Sequence, residues 1–305
     1  PILERTLGVV LFQEQILRVA MVAAGFTGGE AEELRRAMGF KRSMERMGEI
    51  EQRLRDGMTK NGIDMLGQEQ IVKSITSFAL YGFPESHAFS FGLLAYVSTW
   101  LKVHRVAAFY TGLLNNQPMG FYSPATLVQD GRRHGLKTLP VCVARSEWKC
   151  TVADDHTMRI GLSYLKGLSE ARTTAMLAAR QERAFDSLHD FLRRTDFTAG
   201  ERRLLAASGA LNCFAGHRRA ALWQVEAAWS AEESLFRDAD LVTAETSPLP
   251  AMTLGERLQE DFDTLGLTTG VHPMRIVRER LPEVWRAADL PLGRDGDRVV
   301  IGGSV

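Results

Sequence analysis

Residues 81–87 read Tyr81-Gly82-Phe83-Pro84-Glu85-Ser86-His87 and lead straight into the longest apolar stretch of the chain, Ala88 to Leu114. Gly82 permits a positive φ, and Pro84 forces Phe83 extended and stops any preceding helix. Ser86 suits the N-cap of the helix that follows. Amides just after such a cap point outward and suit an anion, typically a phosphate. The plain alternative is a capped helix after a turn. Lys102, His104 and Arg105 interrupt the apolar stretch, so it reads as a core helix reaching Leu114 and not as a membrane span.

Outward from this point the chain reads as mainly helical. Apolar residues from Val10 to Ala24 recur near the helical period. Helices are expected over Glu30 to Met38, ended by Gly39, then over Ser43 to Lys60 and about Gln68 to Leu80. Ser123-Pro124 reads as an N-cap with proline at the first helical position, and Gly135 closes that helix. Short strands are expected at Leu139 to Val143, Trp148 to Val152 and Met158 to Ile160, with Asp154-Asp155-His156 as a turn. Helical pattern returns from Leu162 to about Ala228. Residues 229–255 read as a linker, Leu254 to Leu265 as a short helix, and the last dozen residues as the start of a β module. The fold class is mainly α, of α+β type.

Apolar content of 45% supports packed cores in a chain of this length. Formal charge is zero, divided as 18 Lys/Arg against 14 Asp/Glu in residues 1–150 and 19 against 23 in the rest. That imbalance is too small to indicate nucleic-acid binding by itself. Cys142, Cys150 and Cys213 show no metal-ligand spacing, which suits a reducing, cytoplasmic setting. The chain opens at Pro1 in mid-pattern, which suggests a fragment of a longer protein.

Arg35 and Arg36 project about 100° apart on a helix, so one face does not hold both as solvent-side ion pairs. Glu32 and Glu33, three or four residues upstream, are the plain partners. Leu165-Lys166-Gly167-Leu168-Ser169-Glu170 is a candidate helix-hairpin-helix turn, with Ser169 where a second glycine is usual. Glycines in such a turn let a DNA phosphate approach the backbone and the next helix N-terminus. Ser208-Gly209-Ala210-Leu211-Asn212 with Gly216-His217-Arg218-Arg219 forms a second, looser turn. An ordinary corner between two helices is the alternative for each. Gln13-Glu14-Gln15 reads as the polar face of an amphipathic helix.

Several motifs agree in order and spacing with one family. Leu34-Arg35-Arg36-Ala37-Met38-Gly39, then Tyr81-Gly82-Phe83-x-x-Ser86-His87, then Trp100-Leu101-Lys102 resemble the fingers of family C bacterial DNA polymerases, the polymerase III alpha subunits. Gly82 to His87 followed by Gln117 to Pro124 is similar to the error-prone, ImuC-type branch. The resemblance covers about Pro1 to Met274. It implies a DNA-directed DNA polymerase as the full-length protein, acting in lesion bypass, with fingers over residues 1–136, a short-strand connector over 137–161, tandem helix-hairpin-helix turns over 162–228, a linker with a short helix over 229–275 and the start of an OB fold over 276–305. Arg35, Arg36, Lys41, Gly82, Phe83, Ser86 and His87 would then face the incoming dNTP. Lys166, Gly167, Ser169, Gly209, Gly216 and Arg218 would face the primer–template.

The resemblance also implies Mg2+, held by palm carboxylates outside this chain, so these residues alone are expected to be inactive. Asp154-Asp155 reads as turn chemistry and not as a metal pair. Relatives often carry proline where Val106 stands, so an unbroken helix is expected there. Pro248 to Leu254 contains no glutamine, which speaks against direct sliding-clamp binding and leaves an indirect route through other damage-response subunits. A non-catalytic helical DNA-binding or scaffold protein is the alternative.

Overall fold

A computed structural model describes residues 1–39, 44–78, 83–232, 247–281 and 283–303. It divides into two compact units, Pro1–Thr99 and Trp100–Val305.

The first unit is helical: α1 (Gln13–Ala24), α2 (Gly28–Gly39), α3 (Met44–Lys60) and α4 (Met65–Phe78). Ile16 and Ala20 on α1, and Ile50, Leu54 and Met58 on α3, recur every fourth residue. That spacing puts each set on one face of its helix. Leu34 and Ile75 complete the core. Gly57 lies where α3 crosses α1, and a β-carbon there would meet the Ala24 carbonyl oxygen at 2.1 Å. Only glycine allows that approach.

Two helices start earlier than the apolar period suggests, because polar caps set the boundary. Glu30 Oε2 accepts from the Thr27 amide and hydroxyl at 2.8 and 2.9 Å and so begins α2 at Gly28. Asp64 Oδ1 accepts from the Gly67 amide at 2.8 Å and begins α4 at Met65.

The stretch after His87 departs from expectation in two ways. It forms α5 (Glu85–His104) and α6 (Val106–Asn115), separated at Arg105 with φ −141° and ψ 54°. Valine at 106 does not keep the helix continuous. The Arg105 guanidinium pairs with Asp155 at 3.2 Å, the Ala107 amide donates to the Asp155 carbonyl, and Val106 is drawn into the core. Tertiary contacts thus accompany the break in the helix. In addition, α5 is not a core helix, for none of its residues is buried. Phe89, Phe91, Leu94, Tyr96 and Val103 each expose more than half their surface. Among the described residues no helix is long and apolar enough to cross a membrane.

In the second unit, α6 and α7 (Pro124–Arg133) pack beside a three-stranded sheet of β1 (Lys137–Leu139), β2 (Thr151–Asp154) and β3 (Thr157–Arg159). The order is β1-β3-β2, with β1 parallel and β2 antiparallel to β3. Ser123 caps α7 with proline at the first position, and Gly135 ends it at φ +83°. The expected first strand, Leu139 to Val143, lies instead at Lys137–Leu139. Pro140 has no amide to continue the ladder. Asp154 Oδ1 accepts from the His156 amide at 2.9 Å, the expected turn.

Helices α8 (Glu170–Glu182), α9 (Leu188–Arg194), α10 (Ala199–Ala207), α11 (Arg218–Glu232), α12 (Leu254–Leu265) and α13 (Pro273–Arg278) follow. Met158, Ile160, Met176, Phe191, Leu205, Leu211 and Leu267 join the sheet and these helices in one core. In residues 276–303, the described ones hold a single isolated bridge between Trp285 and Ile301, not extended strands.

Candidate nucleotide and nucleic-acid interface

Arg35 and Arg36 sit on consecutive positions of α2, and one carboxylate takes both. Glu32 receives Arg35 through two bonds of 2.9 and 2.6 Å, and Arg36 Nε at 3.4 Å. The expectation that one face does not hold both arginines is therefore wrong: three- and four-residue spacing lets Glu32 reach each. The hydrogen bond from Arg35 holds the Glu32 carboxyl down to about 2. Arg36 is largely exposed. Lys41, Tyr81 and Gly82 lie outside the described residues.

The Phe83–His87 segment is clamped by the start of α1. Phe83 bridges to Phe12, and the Gln13 amide donates to the Phe83 carbonyl at 3.2 Å. Helix α5 begins at Glu85, one residue before the expected cap. Glu14 Oε2 accepts from the Glu85 amide at 2.9 Å, so a side chain distant in sequence caps this helix in place of Ser86. Ser86 and His87 occupy the exposed first turn. His87 packs against Phe83 and Phe91 with ring centroids 4.8 and 4.5 Å away.

The Gln13-Glu14-Gln15 run does more than form a polar face. Gln15 is buried; its Oε1 accepts from the Leu11 and Phe12 amides at 2.9 and 3.1 Å, and its Nε2 donates to the Thr6 hydroxyl. Helix α1 thus touches α2 and holds the Phe83–Glu85 peptide. Among the described residues no hydrogen bond or ion pair joins Arg35 or Arg36 directly to Ser86 or His87.

In the first hairpin, Gly167 has φ +90° and open space where a β-carbon would stand. Ser169 caps α8 by accepting from the Arg172 amide, and its own amide donates to Glu201 Oε1 at 2.9 Å. Lys166 is committed elsewhere: its Nζ donates to the Phe262 and Asp263 carbonyls at 3.0 and 3.2 Å, closing the C-terminal end of α12. Glu201 is buried and joins the starts of α8 and α10, accepting also from Thr198 and Arg172. Burial raises its pKa, but bonds from the Thr198 and Ser169 amides outweigh this and lower it overall.

A group with a depressed folded pKa contributes stability above its unfolded pKa and loses it as pH falls through the folded one. The Glu201 contribution is therefore intact at neutral pH and lost in acid, below the usual glutamate range. Glu201→Ala is expected to cost about 1–3 kcal/mol at pH 7, with the gap to wild type narrowing in acid, as read by urea unfolding across pH.

The second hairpin is built on Gly209, at φ +83°, where a β-carbon would meet Arg218 Nε at 2.9 Å. Gly216 lies in open space. Arg218 is buried and faces inward: its Nη2 meets Asp261 Oδ1 at 2.5 Å and its Nη1 the Arg257 carbonyl at 3.3 Å. Asp154 and Asp155 do not form a metal pair, since one caps a turn and the other pairs with Arg105. Among the described residues no cluster of three or more His, Cys, Asp or Glu could hold a metal ion.

Residues 1–62 match the family model of the bacterial DNA polymerase III alpha subunit finger domain, and residues 135–221 match that of the helix-hairpin-helix motif. The second match begins upstream of β1, so it takes in the sheet as well as the hairpins. Proteins similar to this chain include error-prone DNA polymerases. The chain is 42% identical over 314 residues to the error-prone DNA polymerase of Azoarcus sp., covering 98% of this chain and 29% of that protein. For those of Alkalilimnicola ehrlichii and Pseudomonas savastanoi pv. phaseolicola the identities are 44% and 43%, covering 95% and 98% of this chain. The chain spans about 29% of the length of the first two curated relatives and 30% of the third.

Proposed function

We propose that this chain is the fingers and duplex-binding part of an error-prone, translesion DNA polymerase. The observation that carries this reading is identity of 42–44% to error-prone DNA polymerases across nearly its whole length, through both the finger match and the hairpin match. Arg35 and Arg36 would neutralise the triphosphate of the incoming dNTP, with Lys41 as a further positive group. Gly82 and Phe83 would shape the base-pair pocket, and Ser86 and His87 would line its floor at the open first turn of α5. Gly167, Ser169, Gly209 and Gly216 would let duplex phosphates approach the backbone. Lys166 and Arg218, both engaged within the chain, would support those turns and add positive potential. Chemistry would come from palm carboxylates beyond these 305 residues, and the exposed apolar side of α5 would pack against that palm.

One observation favours a non-catalytic DNA-binding or scaffold protein instead: Arg35, Arg36, Lys166 and Arg218 all have partners within the chain.

The test is titration of the chain with fluorescent primer–template DNA at increasing salt. With three or four phosphate contacts, affinity should fall roughly a hundredfold between about 50 and 200 mM salt. No nucleotide incorporation is expected from the chain alone. A salt-independent interaction, or incorporation without added palm, would overturn the proposal.

A further inference from the structure

Helix α12 lies against basic side chains of both hairpins. It holds four acidic residues, Glu256, Glu260, Asp261 and Asp263, against one basic residue, Arg257. From the first hairpin, the Lys166 amide donates to the Thr264 carbonyl at 3.0 Å, and its Nζ to the Phe262 and Asp263 carbonyls. From the second, Arg218 meets Asp261. Its neighbour Arg219 reaches the start of α12: Nη2 donates to Glu256 Oε1 at 2.7 Å and Nη1 to the Pro250 carbonyl at 3.3 Å. Leu265 and Leu267 belong to the core, so α12 is anchored.

The two arginine pairs of the second hairpin differ in kind. The side chains of Arg218 and Asp261 are 9% and 7% exposed, those of Arg219 and Glu256 28% and 46%. One step along a helix turns the side chain by about 100°, which sends these neighbouring arginines to different sides. A buried pair is costly to break, whereas a solvent-facing pair exchanges partners at little cost. The two oxygens of Glu256 have separate tasks. Oε2 accepts from the Thr253 amide and hydroxyl at 2.8 and 3.0 Å and caps α12, while Oε1 takes Arg219. Bonds from the Thr253 amide and then from Arg219 hold this carboxyl below the usual glutamate range, so it stays ionised at neutral pH.

We propose that Glu256 is a built-in competitor of DNA for Arg219: it holds this guanidinium in the free chain, and a backbone phosphate of duplex DNA takes the guanidinium over on binding. The inference rests on the duplex-binding reading and adds to it one contact and its restraint. Carboxylate and phosphodiester both offer a guanidinium a pair of anionic oxygens, so one replaces the other without new chemistry. Arg218 stays with Asp261 throughout, because its pair is buried. The exchange has an electrostatic signature. A phosphate contact releases about one counterion, but Glu256, once left by Arg219, takes a cation up. Arg219 therefore adds little to the salt slope while Glu256 is present.

The experiment titrates the chain and its Glu256→Gln variant with fluorescent primer–template DNA across a range of salt. Glutamine has one acceptor oxygen; with that oxygen on the Thr253 cap, its amide NH2 faces the guanidinium and makes no bond. The cap is kept and Arg219 is released. Glu256→Gln is expected to bind roughly twofold to fivefold tighter at low salt, with a slope steeper by about one. In an Arg219→Met background the same change should give neither effect. Glu260→Gln controls for simple loss of negative charge, since among the described residues the Glu260 carbonyl, and not its carboxylate, accepts a bond from Thr264; it should leave the slope unchanged. The proposal is overturned if Glu256→Gln binds as wild type does, if its gain persists with Arg219→Met, or if Glu260→Gln gains as much. Any of these beside a steep wild-type slope leaves the duplex-binding reading standing, whereas salt-independent wild-type binding overturns both. Melting curves on the same preparations separate these results from misfolding.

Discussion

Arg35→Ala together with Arg36→Ala, placed in the full-length polymerase, raises the apparent KM for the incoming dNTP by roughly tenfold to a hundredfold. A guanidinium gives fixed, bidentate donors to phosphate oxygens and keeps its charge at any working pH. If the pair faces the incoming nucleotide as proposed, loss of both would remove charge-assisted bonds to the triphosphate. To the extent that those bonds strengthen as charge moves onto pyrophosphate, kcat falls as well. Glu32 sharpens the test. It already takes both side chains, and its low pKa keeps it ionised at any working pH. On the proposed reading a triphosphate would have to draw the arginines from that carboxylate, so Glu32→Gln should lower the KM or leave it unchanged. If the pair serves only to hold α2 together, the arginine and glutamate variants change thermal stability alike and the KM stays at its wild-type value. Steady-state incorporation at varied dNTP, with melting curves on the same preparations, distinguishes the two outcomes.

Local rules reached the elements that local chemistry governs. Ser123-Pro124, Gly135 and Ser169 bound their helices as expected because each cap uses atoms within a few residues. The Asp154–His156 turn is likewise self-contained. The misplaced features have distant causes. Glu14 takes over the cap expected from Ser86 by reaching a helix 71 positions away. Arg105 breaks a helix because Asp155, 50 positions on, takes both its guanidinium and the next amide but one. The apolar run of α5 says that something must cover it, and composition does not say what. Arg218 looks like a surface residue in sequence, since its partner, Asp261, comes from an element that only the tertiary fold brings close. Arg35 and Arg36 were legible as a basic pair, but their sharing of a single glutamate depended on side-chain reach that helical spacing permits without requiring it.

The largest stability effect is expected at Arg218 and Asp261. Both side chains are nearly inaccessible, and the pair is reinforced by the Thr268 hydroxyl on Asp261 Oδ2 at 2.5 Å and by the Arg257 carbonyl. Removing one partner strands a buried charge, so Arg218→Ala and Asp261→Ala should each cost about 3–5 kcal/mol. In a unit of about 200 residues that lowers Tm by roughly 6–20 °C. Replacing both at once, with Arg218→Met and Asp261→Leu, should restore much of the loss, because well-packed apolar side chains avoid the desolvation penalty of the ions. The double variant also decides what Arg218 does for DNA. An inward-facing arginine that only shapes the Gly209 turn leaves primer–template affinity and its salt slope unchanged once the fold is restored. An arginine that contacts phosphate leaves the refolded double variant weaker across all sequences, with the salt slope reduced by about one. The burial of Arg218 and the short bond to Asp261 predict the first result.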